Sequence, residues 1–125
     1  MIIRVVVVDD ETQVRDLFKW MLDLEDGFEV VGEAGDGKGG IASAAEHQPD
    51  LLLLDLQMPV MDGLEALPLI LKASPATKVV VVSGFPEESL EARALAAGAV
   101  AYISKGLSVD AFVRRLASLA HDEGT

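Results

Sequence analysis

The hydrophobic positions of this chain switch repeatedly between two periods. Ile2 to Val8 is an almost unbroken β-branched run ending in Asp9-Asp10, the pattern of a strand buried on both faces. Val14, Leu17, Phe18, Met21 and Leu22 then repeat at i, i+3, i+4, i+7 and i+8, which makes one apolar helical stripe. Asp10 and Gln13 have the spacing of a capping box for the start of that helix. Phe28 to Ala34 reads as a second strand, and Ile41 to His47 as a short helix before Pro49.

The alternation continues to the end. Leu51 to Leu54 is a wholly apolar third strand that stops at Asp55, and a loop with Pro59 and Gly63 leads to a helix carrying Leu64, Leu67 and Leu71. Pro68 inside that helix removes a backbone donor, which predicts a kink or a late start. Val79 to Val82 is the fourth strand, ending at Ser83. Pro86 suits the first turn of a fourth helix, and Gly98 its left-handed stop. Ala99 to Ser104 is the fifth strand, ending at Lys105. Val109, Phe112, Val113, Leu116 and Ala120 form the stripe of a fifth helix.

Strands joined by helices of this length require a parallel sheet with right-handed crossovers, hence an α/β fold. The 125 residues suit one domain, and 50% hydrophobic content predicts a packed core. No repeat or internal linker is visible. Residues 1–120 are expected to form the domain, with 121–125 as a polar, frayed tail or the start of a linker.

Charge and composition remove several function classes. With 21 acidic against 10 basic residues, the net charge is −11, which repels phosphate backbones and argues against direct nucleic-acid binding. Arg114-Arg115 is the one adjacent basic pair, and it reads as a solvated helix face. The absence of cysteine excludes disulfides, thiolate zinc sites and thiol nucleophiles, and suits a reducing cytoplasm. Neither a signal-like leader nor a membrane-length apolar run is present, so a cytoplasmic protein without a membrane partner is expected. His47 and His121 lack partners at catalytic or ligand spacing.

The chemistry is concentrated at the strand ends. Asp9, Asp10, Asp55 and Lys105 all fall there, on the sheet edge where open α/β folds bind ligands. Two unit charges about 4 Å apart at an effective dielectric of about 20 interact by roughly 4 kcal/mol. Three converging aspartates therefore need a compensating cation, and the cluster reads as a divalent-metal and phosphoryl site. Plainer readings exist for each residue alone. An N-cap role would account for Asp10 but not for Asp9. Asp55 alone would pass for a polar turn residue, and Ser83 and Lys105 alone for surface residues.

The acidic pair in VVVVDDE, the segment LLLLDLQMPVMDG, then VVVSG and AYISK occur in order and at family-like intervals over nearly the whole chain. Together they make the chain resemble the receiver domain of bacterial two-component response regulators. The resemblance implies a flavodoxin-like, doubly wound five-stranded parallel sheet with helices on both faces, in the order 2-1-3-4-5 established for that family. It implies that Asp55 is the phosphoacceptor, a carboxylate nucleophile. It implies that Asp9, Asp10, Asp55 and the backbone carbonyl of Gln57 hold Mg²⁺. Lys105 matches the lysine that pairs with the phosphoryl group, Ser83 the hydroxyl that bonds it, and Tyr102 the aromatic that changes rotamer with that hydroxyl. The function implied is a signalling switch, not a turnover enzyme. Its donor is a sensor histidine kinase or phosphotransfer protein. The output is a C-terminal DNA-binding domain or a separate target protein, and homodimer formation on phosphorylation is among the family's responses.

Some positions depart from the family's commonest pattern. Gly106 stands where many receivers have a proline with a cis peptide, and Gln57 and Phe85 occupy positions that tune phosphoryl lifetime. Gly35, Gly37 and Gly40 also form G-x-G-x-x-G between a strand and a helix, the outline of a nucleotide-binding module. Asp36 beside a pyrophosphate and the short helix that follows argue against that alternative. A flexible loop with permissive glycines is expected instead. A Walker pattern fails because Gly39 follows Lys38.

Overall fold

The computed structural model describes residues 2–58, 61–84 and 88–121. Strands and helices alternate as β1 (Ile3–Val8), α1 (Thr12–Asp23), β2 (Phe28–Ala34), α2 (Gly37–His47), β3 (Leu51–Leu54), α3 (Gly63–Ala73), β4 (Lys78–Ser83), α4 (Glu88–Ala96), β5 (Ala101–Ser104) and α5 (Val109–His121). All four strand pairings are parallel, and the sheet order is β2-β1-β3-β4-β5, as expected.

Alternation along the buried strands divides the core in two. Val5, Val7, Leu51, Leu53, Val80 and Val82 face α1 and α5, where Phe18 and Phe112 stack with ring centroids 5.3 Å apart. Val6, Val8, Leu52, Leu54, Val79 and Val81 face the other way, against Ala44 of α2, Leu67 and Ile70 of α3 and Ala94 of α4. Because both faces are covered, the central strands read as uninterrupted apolar runs.

Several expected boundaries are displaced, each for a local reason. The Asp10–Gln13 capping box does not form. The N-cap of α1 is Glu11, with no side-chain cap bond, and the Glu11 N–H donates to Asp9 Oδ1 instead. The second helix begins at Gly37, four residues before the predicted Ile41, because the Asp36 carboxylate caps it by accepting from the Gly39 N–H at 2.7 Å. The third helix has no late start. Asp62 caps it at Glu65 N, and the helix runs through Pro68, which lies on its exposed side where water can serve the carbonyl left without a donor. The fourth strand gains one residue at each end. The fifth starts two residues late, since the Ala99 N–H closes α4 at the carbonyl of Ala94. Gly98 adopts φ +114°, the expected left-handed stop. His121, expected in the tail, is the last residue of α5. The expectations for Pro59, Phe85, Pro86 and the tail beyond His121 lie outside the described residues.

Candidate functional site

The sheet register brings the strand ends level. Val8 pairs with Leu54 and Leu54 with Val81, so Asp9 and Asp55 leave adjacent strands together. Ser83 pairs with Ser104, and Lys105 follows one residue later. Backbone bonds extend this order beyond the strands. Asp9 N–H donates to Ala34 O at 3.0 Å, Asp55 N–H to Val8 O at 3.0 Å, and Lys105 N–H to Ser83 O at 2.8 Å.

Asp9, Asp55 and Ser83 are 1%, 7% and 2% exposed, so these three side chains are largely shielded from water. Asp10 is exposed and Lys105 half-buried. One carboxylate oxygen from each of Asp9, Asp10 and Asp55 lies within 4.8 Å of the others. No other such group of three metal-capable side chains occurs among the described residues. The Lys105 ammonium answers this charge, 3.0 Å from Asp9 Oδ2 and 3.7 Å from Asp55 Oδ1. Asp10 is not the cap of α1, so the plainer reading of that residue fails.

Burial raises the Asp55 carboxyl from 3.8 to about 6, with the charge of Asp9 adding to the shift and Lys105 opposing it. For Lys105, burial favours the neutral amine, but the Asp9 hydrogen bond and the charge of Asp55 outweigh it and hold the pKa above the usual lysine value. The Asp55 carboxylate also accepts from Gln57 N–H at 3.3 Å, and the Gln57 side chain is exposed. Tyr102 is half-buried on β5, packed against the core layer of α2, α3 and α4. The donors of the acidic pocket are all oxygens, the set preferred by small hard cations, so the pocket could hold a divalent metal.

The glycine run is not a flexible loop. Gly37 and Gly40 lie inside α2, and none of Gly35, Gly37 and Gly40 has positive φ. Close packing accounts for the buried pair: a Cβ on Gly37 would lie 2.8 Å from Met61 O, and one on Gly40 would lie 3.1 Å from Val8 Cγ1. The N–H groups of Gly39 and Gly40 are already taken by Asp36. Those two amides are therefore not free to cradle a phosphate.

Two contributors escaped the sequence reading. Gly63 begins α3 against the β3 end, where a Cβ would lie 2.4 Å from Asp55 O. Arg15 of α1 donates to the carbonyl of Asp9 at 2.6 Å and to Glu33 at 2.8 Å. The MDG triplet offered a signal for Gly63. Nothing in the sequence signalled Arg15.

Residues 5–117 match the family model described as the response regulator receiver domain. The chain belongs to that family. It is a receiver domain of a two-component response regulator. Response regulator GacA of Pseudomonas viridiflava is 40% identical over 114 residues, covering 91% of this chain and 53% of that protein. A protein-glutamate methylesterase/protein-glutamine glutaminase of Maricaulis maris is 43% identical over 106 residues, covering 83% of this chain and 26% of that protein. The receiver thus spans about half of the first and about a quarter of the second. The crystal structure of the response regulator domain of Thermotoga maritima CheB superposes with a TM-score of 0.90 at 33% identity, covering 98% of this chain and 99% of that one. No helix among the described residues is long and apolar enough to cross a membrane.

Proposed function

We propose that this receiver accepts a phosphoryl group onto Asp55 from a phosphohistidine of a sensor histidine kinase or phosphotransfer protein, and thereby switches its affinity for an output partner. The observation that carries this reading is the trio of carboxylates within 4.8 Å, with the Lys105 ammonium 3.7 Å from Asp55. A phosphoryl group in transfer carries dispersed negative charge and needs positioning and counter-charge more than covalent help.

Asp55 supplies the nucleophile. Its carboxylate oxygen attacks phosphorus, the P–N bond to the donor imidazole breaks, and the nitrogen leaves with the bonding electrons. Lys105, held beside Asp9 and Asp55, pairs with the arriving charge, and the Ser83 hydroxyl donates to a phosphoryl oxygen. Asp9, Asp10, Asp55 and the Gln57 carbonyl hold Mg²⁺. Bound there, the ion neutralises the clustered carboxylates and the developing phosphoryl charge.

The acyl phosphate carries roughly −1.5 to −2 charge where the ionised carboxylate carried −1, so the site becomes more negative and gains three acceptor oxygens. Ser83 and Lys105 move toward the phosphoryl group, Tyr102 takes the space released, and the face made by α4, β5 and α5 changes its preference for partners. Such a switch biases a pre-existing two-state equilibrium. Residues 1–120 act as this switch, and the segment itself turns over no metabolite. Similarity to GacA and to a Bacillus subtilis protein named a transcriptional regulatory protein favours transcription control as the output, exerted by a further domain or a separate target, with dimerisation as one response.

Incubation with a small acyl phosphate and Mg²⁺ tests the proposal. The wild type should gain the mass of one phosphoryl group and Asp55→Asn none. No gain on the wild type, or equal gain on both, overturns it.

A further inference from the structure

Asp9 is held from four directions. Its N–H donates to Ala34 O, its Oδ1 accepts from Glu11 N–H, its Oδ2 accepts from the Lys105 ammonium, and its carbonyl accepts from Arg15 Nη1 at 2.6 Å. The last bond concerns Asp10 as much as Asp9, because that carbonyl belongs to the peptide unit joining the two. Asp10 is the exposed member of the acidic trio, so the orientation of this peptide unit determines where its carboxylate can reach.

Arg15 is itself braced. Its Nε donates to Glu33 Oε1 at 2.8 Å on β2, and its Nη2 to Thr12 Oγ1 at 3.2 Å in the first turn of α1. Glu33 also pairs with Lys19, one turn further along α1. Gly35 provides room for the guanidinium: a Cβ there would stand 3.3 Å from Arg15 Nη1. A planar fork with several donors can serve a carbonyl, a carboxylate and a hydroxyl together, which a lysine ammonium at the same place cannot do in the same geometry.

We propose that Arg15 is a positioning residue for the divalent-cation site: by fixing the Asp9–Asp10 peptide unit it aligns the acidic pair and raises the affinity for Mg²⁺. This rests on the metal reading given above. Charge alone predicts the opposite sign. A cation this close to an acidic cluster repels a second cation, so removing it should tighten metal binding if electrostatics were its whole effect.

Titration of the metal-free protein with Mg²⁺ by calorimetry, without any phosphodonor, tests the proposal. Arg15→Lys keeps the charge and loses the fork. It should weaken Mg²⁺ by about tenfold or more, the usual effect of removing a group that orients a metal ligand. Arg15→Ala should weaken it as well. Gly35→Ala leaves every charge in place and crowds Nη1. It should weaken Mg²⁺ severalfold and add little on top of Arg15→Ala, since both act through one contact. At saturating Mg²⁺ the labelling rate of Arg15→Lys should return close to wild type. Wild-type affinity in Arg15→Lys, or tighter binding in Arg15→Ala, overturns the proposal. Should the Arg15 variants fail to fold, unchanged affinity in Gly35→Ala does so. A wild type that binds no Mg²⁺ overturns the metal reading and this inference together, whereas binding without phosphoryl transfer overturns only the proposed function.

Discussion

The Lys105 ammonium lies 3.0 Å from Oδ2 of Asp9, a residue 96 positions earlier in the chain. The lysine is closer to this buried aspartate than to Asp55, which stands 3.7 Å away. Lys105 therefore compensates Asp9 more closely than it does Asp55. Burial first, and then the charge of Asp9, raise the Asp55 carboxyl, and Lys105 only partly opposes them.

Lys105→Met should destabilise the metal-free protein at neutral pH by about 1.5–3 kcal/mol, the usual range for losing a hydrogen bond to a charged group. Saturating Mg²⁺ should restore most of the loss by supplying the missing positive charge. Urea titrations in chelator and in Mg²⁺ measure both effects. Equal stability of the two proteins in chelator would contradict the pairing.

The pH dependence of stability follows from Asp55. In the unfolded chain this carboxyl ionises near 3.8, and in the folded protein near 6. Between those values the folded state keeps a proton that the unfolded state has released, so the slope of stability with pH is negative. The contribution is fully present below about 4 and lost above about 6, and it amounts to at most about 3 kcal/mol. The difference between wild type and Asp55→Asn, measured across pH 3 to 8 in chelator, should swing in favour of the variant as pH rises through this window. A constant difference would refute it.

Mg²⁺ bound only to the folded state should stabilise the wild type by about 2.7 kcal/mol at a hundred times its dissociation constant. Asp55→Asn removes one anion from the cluster. It should melt higher than wild type in chelator and respond less to Mg²⁺. Melting curves indifferent to both changes would end the clustered-carboxylate account.

Gly63→Ala should destabilise by about 1–3 kcal/mol, the range for forcing extra volume into a packed site. The new Cβ would meet Asp55 O at 2.4 Å and Leu56 Cα at 2.7 Å, both backbone atoms with little freedom to move. Gly27→Ala is the control, because nothing lies within 4 Å of the added carbon. It should be neutral, or stabilising by at most about 1 kcal/mol through the unfolded state. Comparable losses in the two variants would show that the close approach at Gly63 is not what matters.

Much of the architecture could be read in advance because the central strands are buried on both faces. Such strands carry no polar alternation to obscure them, so Leu51–Leu54 and the run ending at Val8 stand out from their composition alone. The candidate site was legible for the same reason. Asp9, Asp55, Ser83 and Lys105 interrupt or follow apolar runs, and parallel topology gathers such interruptions at one edge. Helix starts were read less well. Glycines 37, 39 and 40 look like a loop by propensity, and their placement in or against α2 depends on Met61, Val8 and Asp36 arriving from elsewhere. Asp10 and Gln13 had the spacing of a capping box, but α1 starts one residue later, with Glu11 as its N-cap and no side-chain cap bond.

By itself the amino-acid order determined the alternation of strands and helices, the two-sided core and the residues delivered to the strand ends, because burial period and chain connectivity are local properties. Only the folded arrangement decided that Lys105 compensates Asp9 before Asp55, and that Asp10 is left free of the helix cap. It also decided that Arg15 reaches back from α1 to the carbonyl of Asp9. Those outcomes depend on distances of a few ångströms between segments distant in sequence, and strand register and packing set such distances, whereas hydrophobic periodicity does not.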